Sequence, residues 1–109
     1  MPAYLVYICQ KVIDRKELDT YWSKIGPTLE GRGAKNVAAY TPFEQLEGDP
    51  VDGVAVVEFP SVEAAKDWYD SPAYRAIREH RFNGAKYIGL LVEGGALPPE
   101  ARMSHTKET

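Results

Sequence analysis

Cysteine is nearly absent from this chain of 109 residues, in which Cys9 stands alone. A single cysteine excludes an internal disulfide and favours the reducing cytosol. Histidine is also scarce, since His80 and His105 are the only two, and no Cys-x-x-Cys or His-x-x-x-His spacing is present. A structural zinc site needs four such ligands. We therefore predict no metal site and expect Cys9 to be a buried, unreactive thiol.

Long hydrophobic runs and an excess of basic residues are also missing. The apolar stretch over 3–9 is much shorter than the ~20 residues that cross a membrane, and no basic segment precedes it as in a signal peptide. Lys and Arg number 13 against 16 Asp and Glu, a net charge of −3, whereas nucleic-acid-binding proteins present a basic face to phosphates. No phosphate-cradling glycine loop is present either. We expect a cytoplasmic protein without a cofactor and without a nucleic-acid or membrane partner.

The first part of the chain predicts a strand followed by a helix. β-Branched and aromatic residues fill 3–12, which is typical of a strand. Asp14 suits a helix N-cap with Glu17 as its capping-box partner, and an amphipathic stripe follows at helical spacing. The stripe consists of Leu18, Tyr21, Trp22, Ile25 and Leu29. Gly26-Pro27 predicts a kink near the end of this helix.

A hairpin is predicted next. Residues 36–48 indicate an irregular strand at a sheet edge, because Pro42 cannot donate a ladder hydrogen bond. Residues 48–53 are rich in turn formers, and the apolar run over 54–59 indicates the third strand.

The last part predicts two helices and a strand. Ser61 suits the N-cap of a second helix, and Ser71-Pro72 suits the start of a third that extends to Phe82. Residues 87–94 indicate the fourth strand. Residues 95–109 are polar with two prolines, and we expect a tail that is mobile or forms an arm over a partner.

The order β-α-β-β-α-β is that of an α+β, ferredoxin-like domain, which we expect to occupy residues 1–94. Right-handed crossovers place both helices on one face of the sheet, so the other face should be polar. The first strand is instead apolar on both sides, and so is the fourth. An exposed apolar sheet face marks an association surface, and we predict a homodimer that packs sheet on sheet. The alternative is that the C-terminal tail covers this face.

Residues 2–94 resemble a known family most specifically in the run EFPSVEAAKDWYDSPAY, residues 58–74. The family is DUF1330, small bacterial proteins of unknown function. The positions that match its pattern are Gly26-Pro27, Glu58, Phe59, Pro60, Ala65, Trp68, Tyr69, Ser71, Tyr74 and Arg81. The resemblance implies a dimeric αβ-barrel built from ferredoxin-like units, and it implies no reaction.

Arg81 is the strongest candidate for a binding residue. At 100° per residue, Tyr74, Ile77, Arg78 and Arg81 fall within one arc of the third helix. We expect Arg81 to face inward and Arg78 to lie at the margin, while Arg75 points outward. A guanidinium near apolar surroundings needs an anion, because it cannot lose its charge. The anion is either an internal carboxylate, for which Glu58, Asp67 and Asp70 are available, or a ligand carboxylate held bidentately.

Tyrosines outnumber phenylalanines by seven to three, which is consistent with a pocket of apolar walls and a few polar groups. We expect Tyr7 and four residues of the helices to converge between sheet and helices. Tyr21 and Tyr74 would hydrogen-bond the ligand, Trp68 and Tyr69 would form walls, and Glu58 or His80 would move protons.

Two functions follow from this pattern. One is a cofactor-free protein that binds a small carboxylated or aromatic metabolite, with isomerase, lyase or oxygenase chemistry as its enzymatic form. The other is a non-catalytic, ligand-binding or structural homodimer in which Arg81 is an internal salt-bridge brace. Fold analogy alone supports the reaction classes, and fold does not fix function.

Overall fold

The strands and helices follow the predicted order. In the computed structural model, which describes residues 1–103, four strands form one antiparallel sheet in the order β2-β3-β1-β4. The strands are β1 (Ala3–Val12), β2 (Lys35–Ala39), β3 (Gly53–Phe59) and β4 (Ala85–Glu93), and the helices are α1 (Arg15–Leu29), α2 (Val62–Tyr69) and α3 (Pro72–Gly84). The ferredoxin-like order is confirmed, with α2 and α3 together forming the second crossover. Across residues 1–103, no helix has both the length and the apolar character needed to cross a membrane.

Each helix begins after the N-cap residue that the sequence predicted. A side-chain oxygen at this position accepts a hydrogen bond from a backbone N–H two or three residues further on, and so satisfies a donor that the helix leaves free. The caps are Asp14 for α1, Ser61 for α2 and Ser71 for α3. Ser71 is therefore the N-cap, and Pro72 the first residue, of the helix that carries Arg81.

Glu17 links α1 to α3 instead of completing a capping box. Its carboxylate lies 3.1 Å from Nδ1 of His80 and accepts a hydrogen bond from Nδ2 of Asn83 at 3.3 Å. The backbone N–H of Asp14, which a capping box would satisfy, donates to the carbonyl of Gly84 at 2.9 Å. The capping-box prediction is wrong because α3 supplies the partners of both groups.

β2 is much shorter than the predicted strand over 36–48. It ends at Ala39, because Tyr40 adopts a left-handed φ of 58° and Pro42 follows two residues later. Residues 40–52 form a long connection instead of a tight turn. α3, in contrast, ends two residues later than predicted and β4 begins two residues earlier, so that they meet at residues 84 and 85.

The helices cover one face of the sheet, and the core lies between them. Alternate residues of β1 and β3 are buried on this face. The large side chains of the core cluster are Leu5, Tyr7, Tyr21, Val57, Phe59, Trp68, Tyr74 and Ile77. On β4 the same face is more open, since Tyr87 and Leu91 are half-buried and Gly89 is exposed. The uncovered part of β4 leaves room for a cavity.

The other face of the sheet carries apolar side chains that are exposed, since no helix of the described residues packs on this face. On β4, Ile88, Leu90 and Val92 are 40%, 46% and 50% exposed. The described part of the tail, residues 95–103, contains a short 3₁₀ helix at Pro99–Ala101 and leaves this face open. Residues 104–109, for which we predicted a mobile tail or an arm, lie outside the described residues.

Candidate functional site

Arg81 lies on the buried face of α3. The inward positions of this helix are Tyr74, Ile77 and Arg81, while Arg75 is exposed. Only 5% of the Arg81 surface is accessible. The inward position that the spacing predicted is therefore confirmed. Because the guanidinium cannot lose its charge when buried, its partners distinguish an internal salt bridge from a ligand-binding role.

No carboxylate pairs with Arg81 among residues 1–103. The ion pairs of this part of the chain join other residues. Asp67 and Asp70, two of the carboxylates that the sequence offered, are exposed at the surface. The internal salt bridge that we considered is wrong for the part of the chain described.

Arg81 contacts a network of tyrosine hydroxyls instead. Its Nε donates to the hydroxyl of Tyr74 at 3.3 Å, and the Tyr74 oxygen lies 2.9 Å from that of Tyr7 and 2.7 Å from that of Tyr21. Burial raises the pKa of Tyr7 and Tyr21 far above the usual range, and the neighbouring Tyr74 raises it further. Tyr7 and Tyr21 are therefore neutral hydroxyls that leave the positive charge of Arg81 uncompensated.

Three aromatic rings surround the guanidinium. The Cζ atom of Arg81 lies 4.6 Å from the ring centroid of Tyr7, 4.9 Å from that of Phe82 and 5.1 Å from that of Tyr87. Ring faces attract a cation through their quadrupoles, so they stabilise the buried charge without neutralising it.

A cavity of about 340 Å³ opens beside Arg81 between β1, β4 and the helices. Its lining residues are Leu5, Tyr7, Ala65, Tyr69, Arg81, Phe82, Tyr87, Gly89 and Leu91. Within residues 1–103, the terminal nitrogens of Arg81 have no hydrogen-bond partner. Nε1 of Trp22 is the one fully enclosed side-chain polar atom of these residues that lacks a partner, so the Arg81 nitrogens keep access to the cavity. The cavity thus presents two unused, charged donors in aromatic surroundings.

Three of the predicted pocket residues form the cavity wall, namely Tyr7, Tyr69 and Arg81. Tyr74, Tyr21 and Trp68 are buried behind this wall. The ring centroids of Trp68 and Tyr74 are 3.9 Å apart, and the Trp68 indole donates to the Thr28 hydroxyl at 2.9 Å. None of these three aromatic residues lines the Arg81 cavity, and Tyr21 and Trp68 border a second cavity instead.

Glu58 and His80, the predicted proton-transfer groups, lie away from the cavity. Glu58 alternates with the buried residues of β3 and so lies on the face opposite the helices, beside Tyr4 and Lys35 in the strand register. His80 contacts Glu17 on α1. Glu58 is separated from Arg81 because it lies on the other face of the sheet, and His80 because it lies on a different side of α3. Neither group forms part of the candidate site.

Sequence reasoning missed the contribution of β4. Tyr87, Gly89 and Leu91 line the cavity, as does Phe82 at the end of α3. Gly89 lies directly opposite Tyr7 in the β1–β4 register. A glycine within an apolar strand often marks a close approach of another group, and this signal was present in the sequence.

Other reactive groups do not form a second centre in the described part of the chain. Between residues 1 and 103, no group of three or more His, Cys, Asp and Glu side chains is placed to hold a metal ion. Burial raises the pKa of the Cys9 thiol, which is consistent with an unreactive side chain. His105 lies outside the described residues.

The chain matches a known protein family over most of its length. The model of the domain of unknown function DUF1330 matches residues 2–95. The chain belongs to the DUF1330 family. No relative of this DUF1330 protein is found among curated proteins.

Solved structures with the same fold include three that bear on assembly and function. A protein of unknown function from Rhodopseudomonas palustris shares 22% identity with a TM-score of 0.68, over 88% of this chain and 84% of that chain. A dimeric ferredoxin-like protein of unknown function from Bacteroides fragilis shares 11% identity with a TM-score of 0.57, over 85% and 96%. SnoaB, a cofactor-independent oxygenase from Streptomyces nogalater, shares 9% identity with a TM-score of 0.57, over 90% and 97%. At these identities the likeness is one of fold.

Proposed function

We propose that this DUF1330 protein binds a small carboxylated metabolite in the Arg81 cavity without a cofactor. The observation that carries the proposal is that Arg81 is 5% exposed, has no carboxylate partner among residues 1–103, and keeps its terminal nitrogens at the cavity. An arginine fork matches a carboxylate with two parallel hydrogen bonds. A ligand carboxylate would supply the missing counter-charge.

The cavity also favours a ligand with an aromatic or otherwise planar body. Its volume of about 340 Å³ lies within the range of small-molecule sites. The walls are mostly apolar and include the rings of Tyr69, Phe82 and Tyr87. Aromatic rings pack favourably on such walls at their edges or with an offset.

The proposal includes a cytoplasmic homodimer joined through the open sheet face. The exposed side chains of Ile88, Leu90 and Val92 support it, because monomers seldom leave a contiguous apolar patch in water. The dimeric neighbour from Bacteroides fragilis supports it at the level of the fold. The single cysteine supports the reducing compartment.

Catalysis on the bound ligand is the second candidate. The observation that favours it is the neutral Tyr7 phenol, since Tyr7 lines the cavity and its ring centroid lies 4.6 Å from the Cζ atom of the fixed cation Arg81. A phenol in this position is suited to donate a proton or a hydrogen bond to charge that develops on an oxygen. The cofactor-independent oxygenase SnoaB shares the fold, which makes oxygenation one of the reactions to assay alongside isomerisation and elimination.

Calorimetric titration with benzoate tests the binding proposal. We expect wild-type protein to bind benzoate and Arg81→Met to bind it roughly 100-fold more weakly, since both charged hydrogen bonds are lost. Arg75→Met is the matched control, because Arg75 is exposed on the same helix, and it should bind as wild type does. Equal binding by wild type and Arg81→Met, or no binding by either, contradicts the proposal.

A further inference from the structure

The hydroxyl of Tyr74 has three hydrogen-bond neighbours, and this number restricts the direction of each bond. The neighbours are Tyr21 at 2.7 Å, Tyr7 at 2.9 Å and Nε of Arg81 at 3.3 Å. A phenolic hydroxyl donates one proton and accepts two, whereas arginine donates only. Arg81 therefore occupies one acceptor site of Tyr74. Of the two other tyrosines, one donates to Tyr74 and the other accepts its proton.

Two arrangements of the network satisfy this rule. In the first, Tyr7 donates to Tyr74, which donates to Tyr21. In the second, Tyr21 donates to Tyr74, which donates to Tyr7. The tyrosine at the accepting end keeps its own proton for a partner outside the network, because neither Tyr7 nor Tyr21 has another hydrogen-bond partner in residues 1–103.

The two ends of the network face different surroundings. Tyr7 lines the Arg81 cavity and its ring lies under the guanidinium. Tyr21 does not line that cavity. It borders a separate, largely apolar cavity of about 270 Å³ beside α1, which Tyr7 also borders, so that Tyr7 alone of the two reaches the Arg81 cavity. An anion held by Arg81 therefore offers an acceptor at the Tyr7 end only.

We propose that an anion in the Arg81 cavity aligns the network as Tyr21→Tyr74→Tyr7→ligand. Tyr7 is then a second ligand-contacting donor beside Arg81, and Tyr21 is a positioning residue that acts through Tyr74. Hydrogen bonds in such a chain polarise one another, which strengthens the last bond to the ligand. This inference rests on the proposed function and requires the ligand carboxylate to accept a hydrogen bond from Tyr7 as well as from Arg81.

Calorimetry with benzoate and its neutral counterpart benzamide tests the alignment. We expect Tyr7→Phe to weaken benzoate binding roughly tenfold to 100-fold, as for a hydrogen bond to a charged group. Tyr21→Phe should weaken it roughly threefold, although Tyr21 does not line the cavity. Both variants should lower the preference for benzoate over benzamide. Tyr4→Phe is the control, because Tyr4 lies on the face of β1 opposite the helices and does not line the Arg81 cavity.

A measurement on wild-type protein removes any dependence on the folding of the variants. With tyrosine labelled at Cζ by ¹³C, benzoate should shift the Tyr21 resonance in NMR spectra, and benzamide should not. The alignment is refuted if the Tyr21 resonance does not shift and both Phe variants keep the wild-type preference for benzoate. In that case the proposed function still stands, provided that benzoate binding depends on Arg81. If benzoate binds wild type no better than Arg81→Met, the proposed function fails and the alignment fails with it.

Discussion

Tyr7 lies opposite Gly89 across the β1–β4 pair, and a Cβ atom at Gly89 would lie only 3.1 Å from Cε1 of the Tyr7 ring. Contacts this short are rare for Cβ atoms. The missing side chain therefore allows the Tyr7 ring to approach the backbone of β4 closely and leaves space in the cavity.

The first prediction concerns this space. Gly89→Ala should displace the Tyr7 ring, narrow the cavity and weaken benzoate binding, with a loss of stability of roughly 1–2 kcal/mol. Gly26→Ala is the control, since no atom lies within 4 Å of a Cβ at Gly26. In the α1 helix, Ala should increase stability by roughly 0.5–1 kcal/mol. Undiminished affinity in Gly89→Ala, measured by calorimetry, would show that Gly89 does not define the site.

The second prediction separates a ligand site from an internal brace. Removing one partner of a buried ion pair typically costs roughly 3–5 kcal/mol. Because Arg81 has no carboxylate partner among residues 1–103, Arg81→Met should change the free energy of unfolding by less than ~1–2 kcal/mol. Urea denaturation at neutral pH measures this quantity, with Arg75→Met at an exposed position of the same helix as control. A loss of several kcal/mol specific to Arg81→Met would favour the brace.

The third prediction concerns alkaline pH. Folding raises the pKa of Tyr7 and Tyr21 above their ordinary value of 10.0, chiefly through burial. Above about pH 10 the unfolded chain loses these protons and the folded chain keeps them, so stability is present below this pH and falls as pH rises. The two tyrosines together should lower the free energy of unfolding by roughly 3 kcal/mol per pH unit.

Tyr21→Phe provides the comparison for this pH dependence. The decrease in its stability per pH unit above pH 10 should be smaller than that of wild type, with a difference of roughly 1.4 kcal/mol per pH unit. Denaturation series at several alkaline pH values give both slopes. Parallel curves for wild type and variant would mean that Tyr21 titrates as readily in the folded protein as in the unfolded chain.

The fourth prediction concerns the open sheet face. Leu90→Lys places a charge among Val6 and the exposed residues of β4, so it should convert the proposed homodimer to a monomer of 12.2 kDa. Leu46→Lys makes the same change at an 83% exposed position of the 40–52 connection and should remain dimeric. Light scattering at micromolar concentration distinguishes the two masses. A monomeric wild-type protein would refute the dimer itself.

Much of the fold was readable from the sequence because local chemistry determines it. Asp14, Ser61 and Ser71 are polar residues that cap the helices following them, as their local sequence predicted. The helical spacing of α3 was sufficient to predict that Arg81 faces inward. The end of β2 was not readable, since it depends on the left-handed backbone of Tyr40.

The candidate site was less predictable because it depends on register between distant segments. Glu58 could not be excluded as a partner of Arg81 until β3 was placed with that side chain on the opposite face. The contribution of Gly89 depends on its pairing with Tyr7. The spacing of residues along one helix predicts which side chains face inward. The residues that line a cavity come from several elements, so they can be named only when the packing of those elements is known.

The most direct test of the Arg81 site is an NMR titration of ¹⁵N-labelled arginine side chains with benzoate and with benzamide. A bidentate carboxylate should shift the Arg81 guanidinium resonances and slow the exchange of their protons, while Arg75 stays unchanged and benzamide has little effect. We expect this change to be selective for Arg81 and saturable. Arg81 resonances that remain the same at high benzoate concentration would contradict it.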